Sequence, residues 1–512
     1  MNKLLGVAAV AAGLAVMLTA QTPAEPVDTA TIARIRTEGL QHSQAPETLF
    51  WISDALGPRL TGSPEVERAG QWVVDRLKGY GLANVHEERW KFGGKGWSLE
   101  AFHATMRAGG QPQVMPLIGY PKAWSQGTNG EVTAEVVRPE ISSAADFAKY
   151  DGKLRGKIVL TQPAREVHML TGPLILYYGP KEQAEMMQPD QPRAARGGRG
   201  RGGRGSAAAQ FRAQLMQFYK DQGVAALFDR GPNSDMASGG SNLSWHQQLT
   251  DGGTIIVQGV TPRDGTALPQ VTLAVEHYNR MVRLLDHNIP VAVNLDIQVK
   301  WTDEPAQGGG FNILGEIPGG YLADQVVMLG AHFDSWQAAT GATDNGTGST
   351  AMIEAMRILS SLGLKPRRTI RIGLWTGEEE GELGSRAYVA AHKDELGRMA
   401  AYYNLDNGTG KIRGVWMQDN PLVAPIFEAW GDPLKDLGVD LFSPRAVQQT
   451  DHSSFDAAGV PAFQFVQDRL EYNSRTHHTN MDLYDRVQLP QLEQQATVAA
   501  VFAWLTAERD QL

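Results

Sequence analysis

The chain has 512 residues, 42% of them hydrophobic, with 12 tryptophans and a formal charge of −9. That length exceeds what one hydrophobic core ordinarily spans, and the apolar content excludes global disorder, so more than one packed domain is expected. The acidic balance argues against nucleic acid or an anionic membrane as a partner, and the absence of cysteine excludes disulfides and thiolate metal ligands.

Residues 1–20, MNKLLGVAAVAAGLAVMLTA, carry one lysine and then an unbroken run of apolar and small residues. This predicts a signal peptide cleaved near Ala20 and an exported protein, periplasmic or secreted. Leu18 fits poorly three residues before that cut, so an uncleaved anchor is the alternative. No later segment is apolar enough to cross a bilayer. Removing Lys3 takes the charge from −9 to −10.

Thr29 to Gly39 and Pro46 to Leu56 read as short helices. A longer helix from Pro64 to Tyr80 opens on Ser63-Pro64, stops at Gly81 and leads into a strand ending near Trp90 and Phe92. Residues 27–120 and 302–512 are assigned to a catalytic domain. Between them, 121–301 reads as an inserted, strand-rich domain with segments such as EVTAEVV and GKIVLTQ. Its stretch 193–209, RAARGGRGRGGRGSAAA, holds five arginines among glycines. It reads as a disordered surface loop in preference to an RNA contact.

From Asn312 onward strand and helix alternate. Strands are predicted at NILGEIPG, QVVMLGAH, RTIRIGLWTG, AAYYNLDNG and GVPAFQFVQ, and helices at Ser349–Leu362, Gly384–Glu395 and Gln491–Ala507. This is the pattern of an α/β fold: a mixed, largely parallel sheet with helices on both faces. Ligands of such a sheet belong at the carboxyl ends of its strands.

Acidic and histidine residues collect at those ends. VVMLGAHFDS brings His332 and Asp334, GATDNGTGS brings Asp344, LWTGEEE brings Glu378 and Glu379, YYNLDNG brings Asp406, and RTHHTNMD brings His477 and His478. Singly, each reads as a hydrogen-bonded structural histidine or a turn former. Together they are the ligand set of a zinc-type site without sulfur. Carboxylates gathered in a low-dielectric cleft repel unless a cation joins them. Three ligating carboxylates against two divalent ions leave about +1, which one hydroxide balances, whereas one ion leaves the site anionic. Asp334, two residues after His332, is placed to accept from its second ring nitrogen.

GAHFDSW, GATDNGTGS, LWTGEEEGELGSRAYV, YYNLDNGTG, TDHSSF and RTHHTNMD closely resemble the co-catalytic zinc exopeptidases, the family of bacterial leucyl aminopeptidases and plasma glutamate carboxypeptidase. PRLTGSPEVERAG resembles that family's amino-terminal helix region, and the insert resembles a protease-associated domain. The resemblance implies two zinc ions, with His332, Asp344 and Glu379 on one and Asp344, Asp406 and His478 on the other. Asp344 is then the bridge, and the bond from Asp344 to Asn345 is cis. Glu378 matches the general base, which deprotonates a water held between the ions. Glu380 is expected to be solvated or to cap the following helix. The pattern HTNMD selects His478 over His477 as ligand. His477, His452 and Tyr472 remain candidates for contacts to substrate or transition state.

The implied reaction is hydrolysis of the terminal bond of a peptide, or of a dipeptide. Aminopeptidase, carboxypeptidase and dipeptidase are not separated, because the end group read depends on what closes the cleft. The insert or a second subunit could do so, and a homodimer is one arrangement the resemblance allows. Two competing readings are a non-catalytic, receptor-like relative and an amidohydrolase or cyclase on the same site. The complete ligand set and the paired glutamates favour the peptidase.

Overall fold

The computed structural model describes residue 25 and residues 27–167, 175–189, 204–232 and 252–511. The expected signal segment lies outside them. One sheet has eight strands in the order Ala83–Trp90, Gly310–Ile317, Arg368–Trp375, Leu322–His332, Met399–Asn404, Ala462–Gln467, Ile412–Trp416 and Leu441–Ser443. Its centre, from Arg368–Trp375 through Ala462–Gln467, is parallel, and antiparallel pairs flank it on either side. The central strands are continuous apolar runs, as burial on both faces demands. Every residue from Val326 to His332 is buried.

Helices cover both faces. Thr29–Gln41, Pro64–Gly79, Thr347–Ser361 and Leu489–Glu508 supply one core, in which Leu489–Glu508 is apolar nearly all round and accordingly enclosed. On the other face Leu383–Ala391 and His452–Asp456 bring Tyr388 and Phe455 against Trp375 and Tyr402. Local signals set the helix boundaries. Ser63 accepts from Val66 N at 3.2 Å, Pro64 occupies the first turn, and Glu65 and Glu67 face the positive helix end.

A second eight-stranded sheet runs Met115–Pro116, Gly96–Ala108, Val291–Thr302, Val132–Val137, Ile158–Leu160, Ala226–Asp229, Gln270–Leu273 and Gly119–Pro121. The expected division at residue 121 does not follow the sheets. Gly96–Ala108 and Met115–Pro116 belong to the second sheet, because Gly96–Ala108 pairs along its length with Val291–Thr302. No local periodicity reveals a partner so distant in sequence. The expected loop at 193–209 also needs correction. Its last six residues enter the helix Arg204–Asp221, where Ala207 to Ala209 favour helix and Phe218 stacks on Phe147 at 4.4 Å. The rest of that stretch lies outside the described residues. Among the described residues, no helix is long and apolar enough to cross a membrane.

Candidate metal centre

The parallel strands Arg368–Trp375, Leu322–His332 and Met399–Asn404 are neighbours, so their carboxyl ends open into one crevice. His332 closes the middle strand. Glu378 and Glu379 follow the strand on one side of it, and Asp406 follows the strand on the other. Asp344 comes from the segment Ala342–Gly346 ahead of helix Thr347–Ser361, and its bond to Asn345 is cis, as the resemblance implies. His478 stands just beyond Tyr472–Thr476, with φ of 58°.

These side chains meet. His332 Nε2 lies 3.2 Å from Asp406 Oδ1 and 3.3 Å from Asp344 Oδ1. His478 Nε2 lies 2.9 Å from Glu379 Oε2 and 3.4 Å from Asp344 Oδ2. Asp344 therefore turns one oxygen to each histidine. These shortest contacts divide the residues as His332–Asp344–Asp406 and Asp344–Glu379–His478. The expected set His332, Asp344 and Glu379 also offers ligand atoms within 4.8 Å of one another. Glu378 groups with His332 and Asp406 within the same distance.

The electrostatics fit a cation. Burial, followed by repulsion from Asp344, raises Glu379 well above the ordinary carboxyl range. Glu378 is raised by burial, and Asp406, Asp451 and Glu379 add to that. Burial disfavours a charged His332, yet attraction to Asp406 and contacts with Asp334 and Asp344 outweigh it and hold the imidazole well above its usual value. Asp344 Oδ2 and Glu379 Oε1 are buried and receive no hydrogen bond. Acceptors left bare in this way, next to His478, whose imidazole burial pushes below its usual value, suit a divalent ion of the zinc type.

Asp334 acts differently from expectation. The Nδ1 of His332 faces the backbone carbonyl of Asp334 at 3.1 Å, while the carboxylate Oδ1 is 3.6 Å away. That carboxylate instead accepts from Thr61 Oγ1 at 3.0 Å and from the amides of Glu378 and Glu379, each at 3.3 Å. It thus orients both glutamates through their backbone. Glu380 is neither solvated nor a helix cap. Its carboxylate oxygens are buried, burial and Asp334 push its pKa up to about 8, and helix Leu383–Ala391 has no side-chain cap.

Of the remaining candidates, His477 stacks on His478 at 3.7 Å and lies 4.0 Å from Asp344, and burial pushes its pKa down to about 3. The Tyr472 ring packs 4.9 Å from His477, with burial and Asp344 raising its hydroxyl. His452 is buried and pairs through Nε2 with Val447 O at 3.0 Å, and burial pushes it down to about 4.

Sequence reasoning missed two supports. Asp482 accepts from Thr343 N at 2.6 Å and from Asp344 N at 3.0 Å, fixing the loop that presents Asp344. Burial, then Asp344, lifts its pKa to about 7. The motif HTNMD ends on this residue, and its placement was the available signal. Arg59 is fully buried and binds backbone carbonyls on three segments, a role that no local pattern around it announces.

Residues 312–503 match the model of Peptidase family M28. Carboxypeptidase Q of Mus musculus is 26% identical over 484 residues, covering 94% of this chain and 89% of its own, and the Homo sapiens protein aligns at 26% over 483 residues. Among solved structures, a peptidase M28 precursor from Shewanella amazonensis has a TM-score of 0.64 at 23% identity, covering 94% of this chain and 97% of its own. The zinc aminopeptidase BSAP of Bacillus subtilis has a TM-score of 0.55 at 18% identity, with 91% and 95% covered.

Proposed function

We propose that this chain, which matches Peptidase family M28 over residues 312–503 and aligns with carboxypeptidase Q over 94% of its length, is an exported, dinuclear zinc exopeptidase acting on unblocked peptides or dipeptides. The observation that carries this reading is Asp344, whose two oxygens address two different histidines. His332, Asp344 and Asp406 would hold one zinc, and Asp344, Glu379 and His478 would hold the other. Bound there, the ions supply Lewis-acid polarisation of a carbonyl and acidify a water.

The protein's own residues do the rest. Glu378 is held by Asp334 through its backbone amide, which leaves the carboxylate for proton transfer. It takes the proton of the attacking water as the new C–O bond forms, and then delivers it to the leaving amine nitrogen as the peptide C–N bond breaks. Tyr472 and His477, packed beside Asp344, are the nearest candidates to donate to the developing oxyanion. Trp336 and Asp482 join Asp344, Glu379 and His478 around a small cavity beside the centre.

The alignment with carboxypeptidase Q over 94% of the chain supports a free dipeptide or an unblocked peptide as substrate. The test is turnover of a dipeptide, its N-acetyl form and its C-terminal amide by the wild type and by Glu378→Gln. The variant should bind zinc normally and lose about 10²- to 10⁴-fold in kcat. Near-wild-type turnover in a zinc-replete variant overturns the assignment. Loss only on acetylation identifies an aminopeptidase, loss only on amidation a carboxypeptidase, and loss on both a dipeptidase.

A further inference from the structure

Among the described residues, the segment 253–258 brings the second sheet's side of the molecule to the metal centre. It runs antiparallel to the loop that carries His478, with Ile256 bridging Thr479. Val257 N donates to His478 O at 3.1 Å, Asn480 N to Ile255 O at 3.2 Å, and Ile255 N to Asn480 Oδ1 at 2.7 Å. Ile255 and Val257 are buried with Ala274 and Ala338, so the segment is anchored as well as hydrogen-bonded.

Gln258 follows directly. Its side-chain amide lies 3.1 Å from His478 Nδ1, whereas His478 Nε2 faces Glu379 and Asp344. His332 differs: its Nδ1 rests on the Asp334 carbonyl, within its own sheet's loop. The two histidines of the centre thus take their outer contacts from different parts of the fold. A half-turn of the Gln258 amide exchanges its oxygen and nitrogen, so it can accept from an Nδ1–H. That tautomer leaves the Nε2 lone pair free for a metal.

We propose that Gln258 is a positioning residue for the His478 half of the metal centre, so that zinc binding there and docking of the 253–258 segment stabilise each other. The proposal rests on the dinuclear reading. Partners on the far nitrogen of a ligating histidine fix its tautomer and ring angle, and their loss typically weakens metal binding 10- to 100-fold. Any coupling of this kind is reciprocal: zinc must tighten the segment by the same factor by which the segment tightens zinc.

The test uses the full chain in buffered free zinc, comparing wild type, Gln258→Leu and Gln258→Glu, with amide hydrogen exchange followed across residues 253–258 and 476–480. In Gln258→Leu, one of the two zinc ions should bind on the order of 10-fold more weakly and the other as before. Gln258→Glu, which keeps an acceptor, should bind both at least as tightly as the wild type. Zinc should slow exchange in both segments of the wild type, and less so in Gln258→Leu. Wild-type affinity for both ions in Gln258→Leu overturns the proposal, as does equal weakening of both ions without recovery in Gln258→Glu. If the wild type takes up a single zinc, the dinuclear reading fails by itself. Weaker binding of that ion in Gln258→Leu then still supports the positioning role, and unchanged binding overturns it.

Discussion

Replacing Arg59 by methionine should unfasten the metal centre from beneath. The guanidinium donates from Nε to Phe333 O at 2.7 Å, from Nη1 to Ile52 O at 2.7 Å and Thr340 O at 2.9 Å, and from Nη2 to Gly341 O at 2.9 Å. Phe333 follows His332, and Thr340 and Gly341 precede Asp344, so one side chain ties together the two loops that present the candidate ligands. Burial lowers its pKa to about 10, against attraction from Asp482, Asp334 and Asp344, so it stays charged at neutral pH. Methionine keeps the stem's volume and removes all four bonds. A hydrogen bond from a charged donor is worth about 1.5–3 kcal/mol, and four lost together sum to roughly 6–12 kcal/mol. The released cost of burying a guanidinium, several kcal/mol, offsets part of this, which leaves about 4 kcal/mol of destabilisation. Urea titration of zinc-depleted protein followed by tryptophan fluorescence measures it as a lower midpoint, and zinc affinity should fall in parallel. Arg59→Lys should lose nearly as much, because a compact ammonium cannot span the four carbonyls. A methionine variant within about 1 kcal/mol of wild type, with unchanged zinc binding, refutes the brace.

Other changes separate the remaining roles. Glu380→Gln keeps the shape of a carboxyl that burial holds near pKa 8, so its turnover should stay within several-fold of wild type, in contrast to Glu378→Gln. Gly348→Ala places a Cβ 2.2 Å from Asn345 Oδ1 and 2.3 Å from Leu405 O. The carbonyl cannot yield, so denaturation should show a loss of about 1–3 kcal/mol, and turnover should fall with the displaced Asp344 loop. For His452, burial sets the folded pKa at about 4, below the unfolded value of about 6.5. Its contribution is complete above pH 6.5 and declines as pH drops toward 4, by about 3 kcal/mol in total. His452→Gln should flatten that acid limb in stability measured against pH. Removing metal with a chelator should abolish hydrolysis and lower the thermal midpoint, and zinc should restore both.

The sequence by itself determined the catalytic sheet, the helices on its two faces and the residues that collect at its strand ends. Those features are local: continuous apolar runs for buried strands, Ser63-Pro64 and Gly81 at helix limits, and carboxylates or histidines directly after a run such as IRIGLW. It also supplied the motifs through which the family is legible. Tertiary structure alone decided the partnerships. The strand bearing His332 lies between the strand preceding Glu378 and Glu379 and the strand preceding Asp406, an order that differs from chain order. Asp406 therefore meets His332, while Glu379 meets His478, which arrives from a distant loop. The same non-locality hid the pairing of Gly96–Ala108 with Val291–Thr302, the burial of Glu380, the brace of Arg59 and the reach of Gln258 to His478. Periodicity reports which face of an element is buried, whereas the neighbour across the crevice depends on how loops hundreds of residues apart come together.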